Sequence, residues 1–182
     1  MAFVITIAGV SGGGKTTVAA ALRDYLNAKL ISFDDYGDRV ESDIDINELR
    51  DDKYNRWNVK PIEIDLTQLI DTKADYIVMD YPFGRLNSTL AKYINLTVFI
   101  DTPLDVALAR RLIRDYSTPN AEPAELPIDE YLIEYLELQI PTYIHYIEAV
   151  RADADLIING MDNVNMITEQ ITEVIKKAVM DC

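Results

Sequence analysis

Five short stretches of the chain are apolar almost without interruption: residues 3–7 (FVITI), 30–33 (LISF), 76–80 (YIVMD), 96–101 (LTVFID) and 155–159 (DLIIN). Strict alternation would mark strands with one wet face, whereas continuous apolar runs predict strands covered on both faces. Between them the apolar positions repeat at helical spacing. Val18, Leu22 and Leu26 stand four apart within 15–27, and similar patterns predict helices near 62–71, 87–93, 103–115, 128–150 and 161–180. Pro103 suits a first helical turn, while Pro141, inside the longest pattern, should kink or split it. Strand alternating with helix predicts an α/β protein, a parallel sheet with helices on both faces. Such sheets bind ligands beyond the carboxyl ends of their strands, so the residues just after each strand carry the most information.

The first of those junctions reads GVSGGGKTT, Gly9 to Thr17, and holds four of the chain's seven glycines. Gly9, Gly14, Lys15 and Thr16 satisfy G-x-x-x-x-G-K-[ST] between a predicted strand and a predicted helix, the setting a phosphate-binding loop requires. In such a loop the backbone N–H groups around Ser11, Gly12, Gly13, Gly14 and Thr17 cradle phosphate oxygens at the positive end of the following helix. Lys15 neutralises the β- and γ-phosphates of ATP, and the Thr16 hydroxyl takes a position on Mg²⁺. Gly12, Gly14 and Thr17 also approach the dinucleotide fingerprint G-x-G-x-x-G/A, with Asp34 where a ribose-binding acid would stand. Thr17 in the third small position, and the lack of any role there for Lys15 and Thr16, favour the phosphate loop.

Later junctions add candidate chemistry. The second strand ends in SFDDYGD, where Asp34 or Asp35 could orient an attacking hydroxyl and accept its proton. An acidic turn in an acidic protein is the competing reading. Asp80, closing the third strand, matches the acid that holds Mg²⁺ directly or through water. After the fourth strand Arg110, Arg111 and Arg114 follow on a helix, Arg110 and Arg114 on one face, where they could neutralise a transferring phosphoryl group. A solvated face paired with Asp105 and Asp115 is the alternative. The Pro-rich stretch that follows suits a lid over about 110–127. The long connection at about 36–60 offers Tyr36, Arg39, Tyr54, Arg56 and Trp57 for an acceptor pocket, with Asp35 beside them, although aromatic residues there could equally be core. That connection carries seven acids against five bases, which suits a neutral or cationic acceptor better than a nucleoside monophosphate. His145 has neither a second His nor a Cys near it and reads as packed or solvent-facing.

Composition narrows the classes. With 182 residues, 49% of them hydrophobic and 26% charged, the simplest organisation is one domain, 1–182. The net charge of −14 argues against nucleic acid or an anionic membrane as partner, and it means that a phosphate site must be built locally. A single cysteine, Cys182, and no long apolar run suggest a reducing, cytoplasmic setting without a membrane anchor. A homo-oligomer remains compatible with all of this. The GTPase base-reading motif N-K-x-D is absent.

The stretches GVSGGGKTT, ISFDDY, DYPFG and DTPLDVALARRLIRD, followed by a Tyr-rich helix and ADLIING, resemble the uridine kinase-like branch of the phosphate-loop kinases. That branch includes uridine/cytidine kinases, nicotinamide riboside kinases and phosphoribulokinase relatives. The resemblance implies a three-layer P-loop NTPase fold with sheet order 2-3-1-4-5. It also implies Asp34 as catalytic base, Lys15 and Thr16 as ATP and Mg²⁺ residues, and the arginines as lid residues. Two departures, Asp80-Tyr81 where uridine kinases have Glu-Gly, and Tyr36-Gly37 where an aromatic pair often follows the base, fall on the acceptor side. The expectation is therefore an ATP-dependent kinase acting on a hydroxyl of a small molecule, a nucleoside first. A nucleoside monophosphate kinase and a nucleotide-binding switch or regulatory ATPase are the alternatives.

Overall fold

A computed structural model describes residues 2–40, 51–117 and 126–180. Five strands form one parallel sheet in the order β2-β3-β1-β4-β5: β1 (Phe3–Ala8), β2 (Lys29–Ser32), β3 (Tyr76–Asp80), β4 (Leu96–Asp101) and β5 (Leu156–Asn159). Helices α1 (Lys15–Leu26), α2 (Lys60–Asp71), α3 (Ser88–Ala91), α4 (Leu104–Leu112), α5 (Ile128–Glu134), α6 (Ile140–Asp153) and α7 (Val164–Met180) connect or follow them. This is the three-layer architecture and strand order expected. The apolar runs are continuous because both faces are covered. Ile5, Ile7, Val78, Val98 and Ile100 pack with Val18, Leu22, Ile171 and Ile175 of α1 and α7. The alternate residues Val4, Ala8, Ile77, Met79 and Phe99 pack with Ile62, Leu66, Tyr146 and Val150 of α2 and α6.

Register brings three loops to one end of the sheet. Ile7 pairs with Asp80 and Ser32 with Asp80, so the loop after β1 and the turn after β2 both emerge beside that acid. On the other side Asp101 pairs with Asn159, which sets Thr102 beside Gly160. Pro141 does interrupt the long helical pattern. A five-residue π turn, Tyr135–Gln139, separates α5 from α6 and leaves the proline in the first turn of α6, where its missing N–H is harmless. A second π turn, Ile113–Ser117, ends α4. Two 3₁₀ turns, Phe33–Arg39 and Asp51–Arg56, fall in segments that carried no periodic signal. Much of the expected lid and the middle of the expected acceptor segment, residues 118–125 and 41–50, lie outside the described residues, as does Cys182. Among the described residues no helix is long and apolar enough to cross a membrane.

Candidate active site

The loop from Gly9 to Thr17 leaves β1 and enters α1 through left-handed backbone at Gly12 (φ 77°) and Gly14 (φ 98°), which side chains rarely adopt. A Cβ on Gly12 would overlap the carbonyl oxygen of Ala107, so α4 packs directly on the loop. The cradle is braced from three directions. Gly13 N–H donates to Val10 O at 2.9 Å. Thr102, just after β4, donates its hydroxyl to Gly13 O at 2.8 Å. Tyr146 of α6 accepts from Gly9 N–H at 3.1 Å and donates to Pro82 O at 2.5 Å.

Inside this frame Lys15 donates its ammonium to Val10 O at 3.1 Å. Burial pushes its pKa down, and the carboxylates of Asp80 and Asp34 pull it back up. Asp80 is 4% exposed and accepts from the Thr16 hydroxyl at 2.6 Å. Burial pushes its carboxyl pKa up, against the Thr16 hydrogen bond and the Lys15 charge. A buried carboxylate and a hydroxyl are hard oxygen ligands of the kind Mg²⁺ takes together with phosphate oxygens. No group of three or more acidic, His or Cys side chains among the described residues forms a self-sufficient metal cage. The residues fit a nucleotide-borne metal better than a resident one.

A cavity of about 240 Å³ opens on Gly9, Ser11, Lys15, Asp34 and Asp80, walled by Phe33, Phe83, Tyr143 and Tyr146. The two adjacent acids part here. Asp34 lines this cavity, whereas Asp35 lines a second pocket against α2, with Tyr36, Arg39 and Asp65. Tyr36 is buried there, its hydroxyl donating to Asp65 at 2.8 Å under the Arg39 guanidinium. Trp57 packs on Phe33 and Phe83, behind the cavity wall, and Arg56 is exposed on its 3₁₀ turn. None of the six acceptor-side residues expected from sequence lines the cavity. The aromatic residues of that segment were drawn into the core by the rings after β2 and β3.

The three arginines also diverge. Arg110 reaches Gly160 O at 3.4 Å and lines a smaller pocket with Gly13, Gly14, Thr17 and Asp162. Arg111 turns toward α5 and α6, donating to Gln139 at 2.9 Å and to the Tyr143 hydroxyl at 3.0 Å. Arg114 is clasped by Asp115, yet lies close enough to Asp34 and Lys15 to influence both. A π turn, Ile113–Ser117, begins between Arg111 and Arg114, and the two ends of the repeat meet different partners. Tyr146, Tyr143, Phe33, Phe83 and Thr102 were missed in the sequence. Only Thr102 carried a usable signal, its place directly after a strand.

Sheet order and loop define a P-loop protein of the three-layer α/β class. Within that class the chain belongs to the Phosphoribulokinase / Uridine kinase family, whose model matches residues 50–167. Uridine kinase from Staphylococcus epidermidis is 26% identical to this chain, covering 96% of it and 97% of the relative. Uridine kinase from Staphylococcus aureus is 28% identical, covering 96% and 97%. Among solved structures, shikimate kinase from Aquifex aeolicus matches at a TM-score of 0.54 and 18% identity over 98% of this chain and 99% of that one. A sugar kinase from Janibacter matches at 0.56 and 15% identity over 94% and 92%. At these identities the structural likeness speaks to the fold. The family and its relatives make the chain an ATP-dependent kinase.

Proposed function

We propose that the enzyme transfers the γ-phosphoryl group of ATP to a hydroxyl of a small molecule, a nucleoside being the leading acceptor. One observation carries the reading: Asp34 and Lys15 open on the same cavity, the first able to take a proton and the second to neutralise phosphate charge. Bound at the loop, Mg-ATP supplies the transferable group. Gly12, Gly13, Gly14 and Thr17 would hold its phosphates and Thr16 with Asp80 its metal. Asp34 orients the acceptor hydroxyl and receives its proton as the oxygen attacks. Lys15 and Arg114 stabilise the charge that spreads over the moving phosphoryl group, at the point where such charge counts most. Arg110, which reaches Gly160 O, would cover the nucleotide base, and Arg111 would tie the expected lid helix to Tyr143.

Phenylalanine and tyrosine walls favour an acceptor with a flat ring. No arginine lines the cavity among the described residues, which disfavours an acceptor that already carries a phosphate. The test is ADP production with Mg-ATP and a panel of nucleosides, ribosides, nucleoside monophosphates and sugars. Turnover that depends on a nucleoside supports the proposal. A rate that no acceptor changes supports a nucleotide-driven switch instead, and dependence on a monophosphate supports the other kinase class.

A further inference from the structure

One further polar pocket shares no residue with the cavity on Lys15 and Asp34. It measures about 580 Å³ and opens on Asn55, Asn58, Lys60 and Lys92 at the N-terminus of α2, with Trp57 in its wall. Glu63, which also lines it, is 6% exposed and takes an ammonium on each carboxylate oxygen, Lys60 at 2.5 Å and Lys92 at 2.8 Å. The Tyr93 hydroxyl is a third donor to Glu63 at 3.0 Å, and Lys92 lies over the Tyr93 ring, 4.9 Å from its centroid. One carboxylate thus fixes two ammonium groups side by side, a local excess of positive charge on a chain that carries −14. Both lysine side chains stay more than half exposed, and each ammonium has N–H groups left for a ligand. The asparagines add donors of fixed direction. A backbone N–H only donates, so the Asn58 amide oxygen is the atom that accepts from Lys60 N–H at 3.3 Å, and the Asn55 oxygen the one that accepts from Ser88 N–H at 2.8 Å. That leaves both NH₂ groups without an acceptor among the described residues. Val59, at the N-cap, makes no side-chain cap, so the positive end of α2 adds to the same field.

We infer that this pocket is an effector site for the phosphate group of a small molecule, either free phosphate or a phosphomonoester. The binding itself goes beyond the kinase reading and does not depend on it. Two ammonium groups, two amide NH₂ groups and a helix N-terminus meet in one pocket, against a single carboxylate that both lysines already occupy. Phosphate oxygens accept several hydrogen bonds at once, and those from charged donors are the stronger ones. A cation would face both lysines, and a neutral ligand would leave their charge unused. Trp57 carries occupancy inward. Its ring centroid lies 5.7 Å from that of Phe33 and 5.5 Å from that of Phe83, two walls of the cavity. A phosphate bound on one side of Trp57 therefore shifts the affinity for acceptor on the other.

The test titrates inorganic phosphate and, separately, ribose 5-phosphate into enzyme whose phosphate loop is filled with Mg-ADP, at an ionic strength held constant with chloride. Trp57 is the chain's one tryptophan, so its fluorescence reports from the pocket wall. A saturable change is expected, and the probe that saturates at the lower concentration identifies the source of the phosphate. Asn58→Asp keeps an oxygen for Lys60 N–H but replaces the NH₂ donor by a charged acceptor. That variant and Lys92→Gln should each weaken binding about tenfold, Asn58→Asp without loss of Tm. Lys15→Ala should respond as wild type does. In ADP-release assays the saturating probe should shift the acceptor KM about fivefold in wild type and leave it in place in Asn58→Asp. No saturable response, or one that survives both pocket variants and disappears in Lys15→Ala, overturns the inference and leaves the kinase reading intact. Binding with no shift in KM marks an adventitious ion only and overturns it too. If no acceptor supports turnover, the kinase reading falls, and the titration with its variants decides the inference by itself.

Discussion

Replacing Asp34 by Asn and, separately, Asp35 by Asn separates two neighbours that local sequence cannot tell apart. Both residues are exposed on the turn after β2, so a neutral isostere should alter stability by no more than about 0.5 kcal/mol. Their surroundings differ. Both acids raise the Asp80 carboxyl pKa, but only Asp34 lines the cavity and acts on Lys15, whereas Asp35 lines the pocket against α2. Loss of a positioned general base costs roughly 10²–10⁴ in rate, or about 2.7–5.4 kcal/mol of barrier. Asp34→Asn should therefore lose acceptor phosphorylation by about a hundredfold or more. A second effect follows from the charges. Asp34 is one of two carboxylates that hold the Lys15 pKa up against burial. Without it Lys15 loses its proton at lower pH, so the basic limb of the pH–rate profile moves toward neutrality. Asp35→Asn should stay within a few fold of wild type, with no movement of that limb. The assay is steady-state ADP release with saturating acceptor across pH, with calorimetric titration of ATP to confirm that binding survives. Equal losses in the two variants, or the reverse ranking, would refute the assignment of Asp34.

Lys15→Ala should lower turnover roughly a thousandfold at saturating Mg-ATP, and near-normal turnover would remove the basis of the kinase assignment. Asp80→Asn should lower turnover by roughly 10² yet raise Tm at pH 7. Its folded pKa is raised by burial, so the folded protein binds the extra proton and stability falls as pH climbs from about 3.8 through that raised value; a lower Tm at neutral pH in the variant would contradict this. Tyr146→Phe should strand Gly9 N–H and Pro82 O, cost about 1–3 kcal/mol in urea unfolding and raise the KM for ATP. Wild-type stability and KM would show that the hydroxyl does not hold the loop. Lys60, Lys92 and the Tyr93 hydroxyl hold the Glu63 carboxyl down to about 2. Its contribution is fully present above about 4.5 and lost as pH falls through 2, so Glu63→Gln should lower Tm at pH 7, with the gap to wild type closing in acid; a gap independent of pH would disprove the ion-pair origin.

The parts of the site that were legible in the sequence are those whose geometry is local. A glycine-rich junction between strand and helix can only be a tight loop, and two-sided burial writes itself as unbroken apolar runs such as YIVMD. Side-chain destinations set by distant neighbours left no trace. The Tyr146 hydroxyl reaches Gly9 across 137 positions, and nothing in a Tyr-rich helix says which ring will do so. Tyr36 and Trp57 looked equally suited to core or ligand, and Asp65, Phe33 and Phe83 decided for the core. The arginine repeat read correctly as a helix, whereas the π turns after Leu112 and before Pro141 are geometry that a fixed period does not contain.

Product identification is the most direct test of the account. Phosphorus NMR of wild-type enzyme with Mg-ATP and each nucleoside follows the γ-phosphoryl group itself. The account predicts that a phosphomonoester on the nucleoside appears in a one-to-one ratio with ADP, and that Asp34→Asn suppresses both together. Inorganic phosphate accumulating in place of the ester, at a rate indifferent to nucleoside, would contradict it.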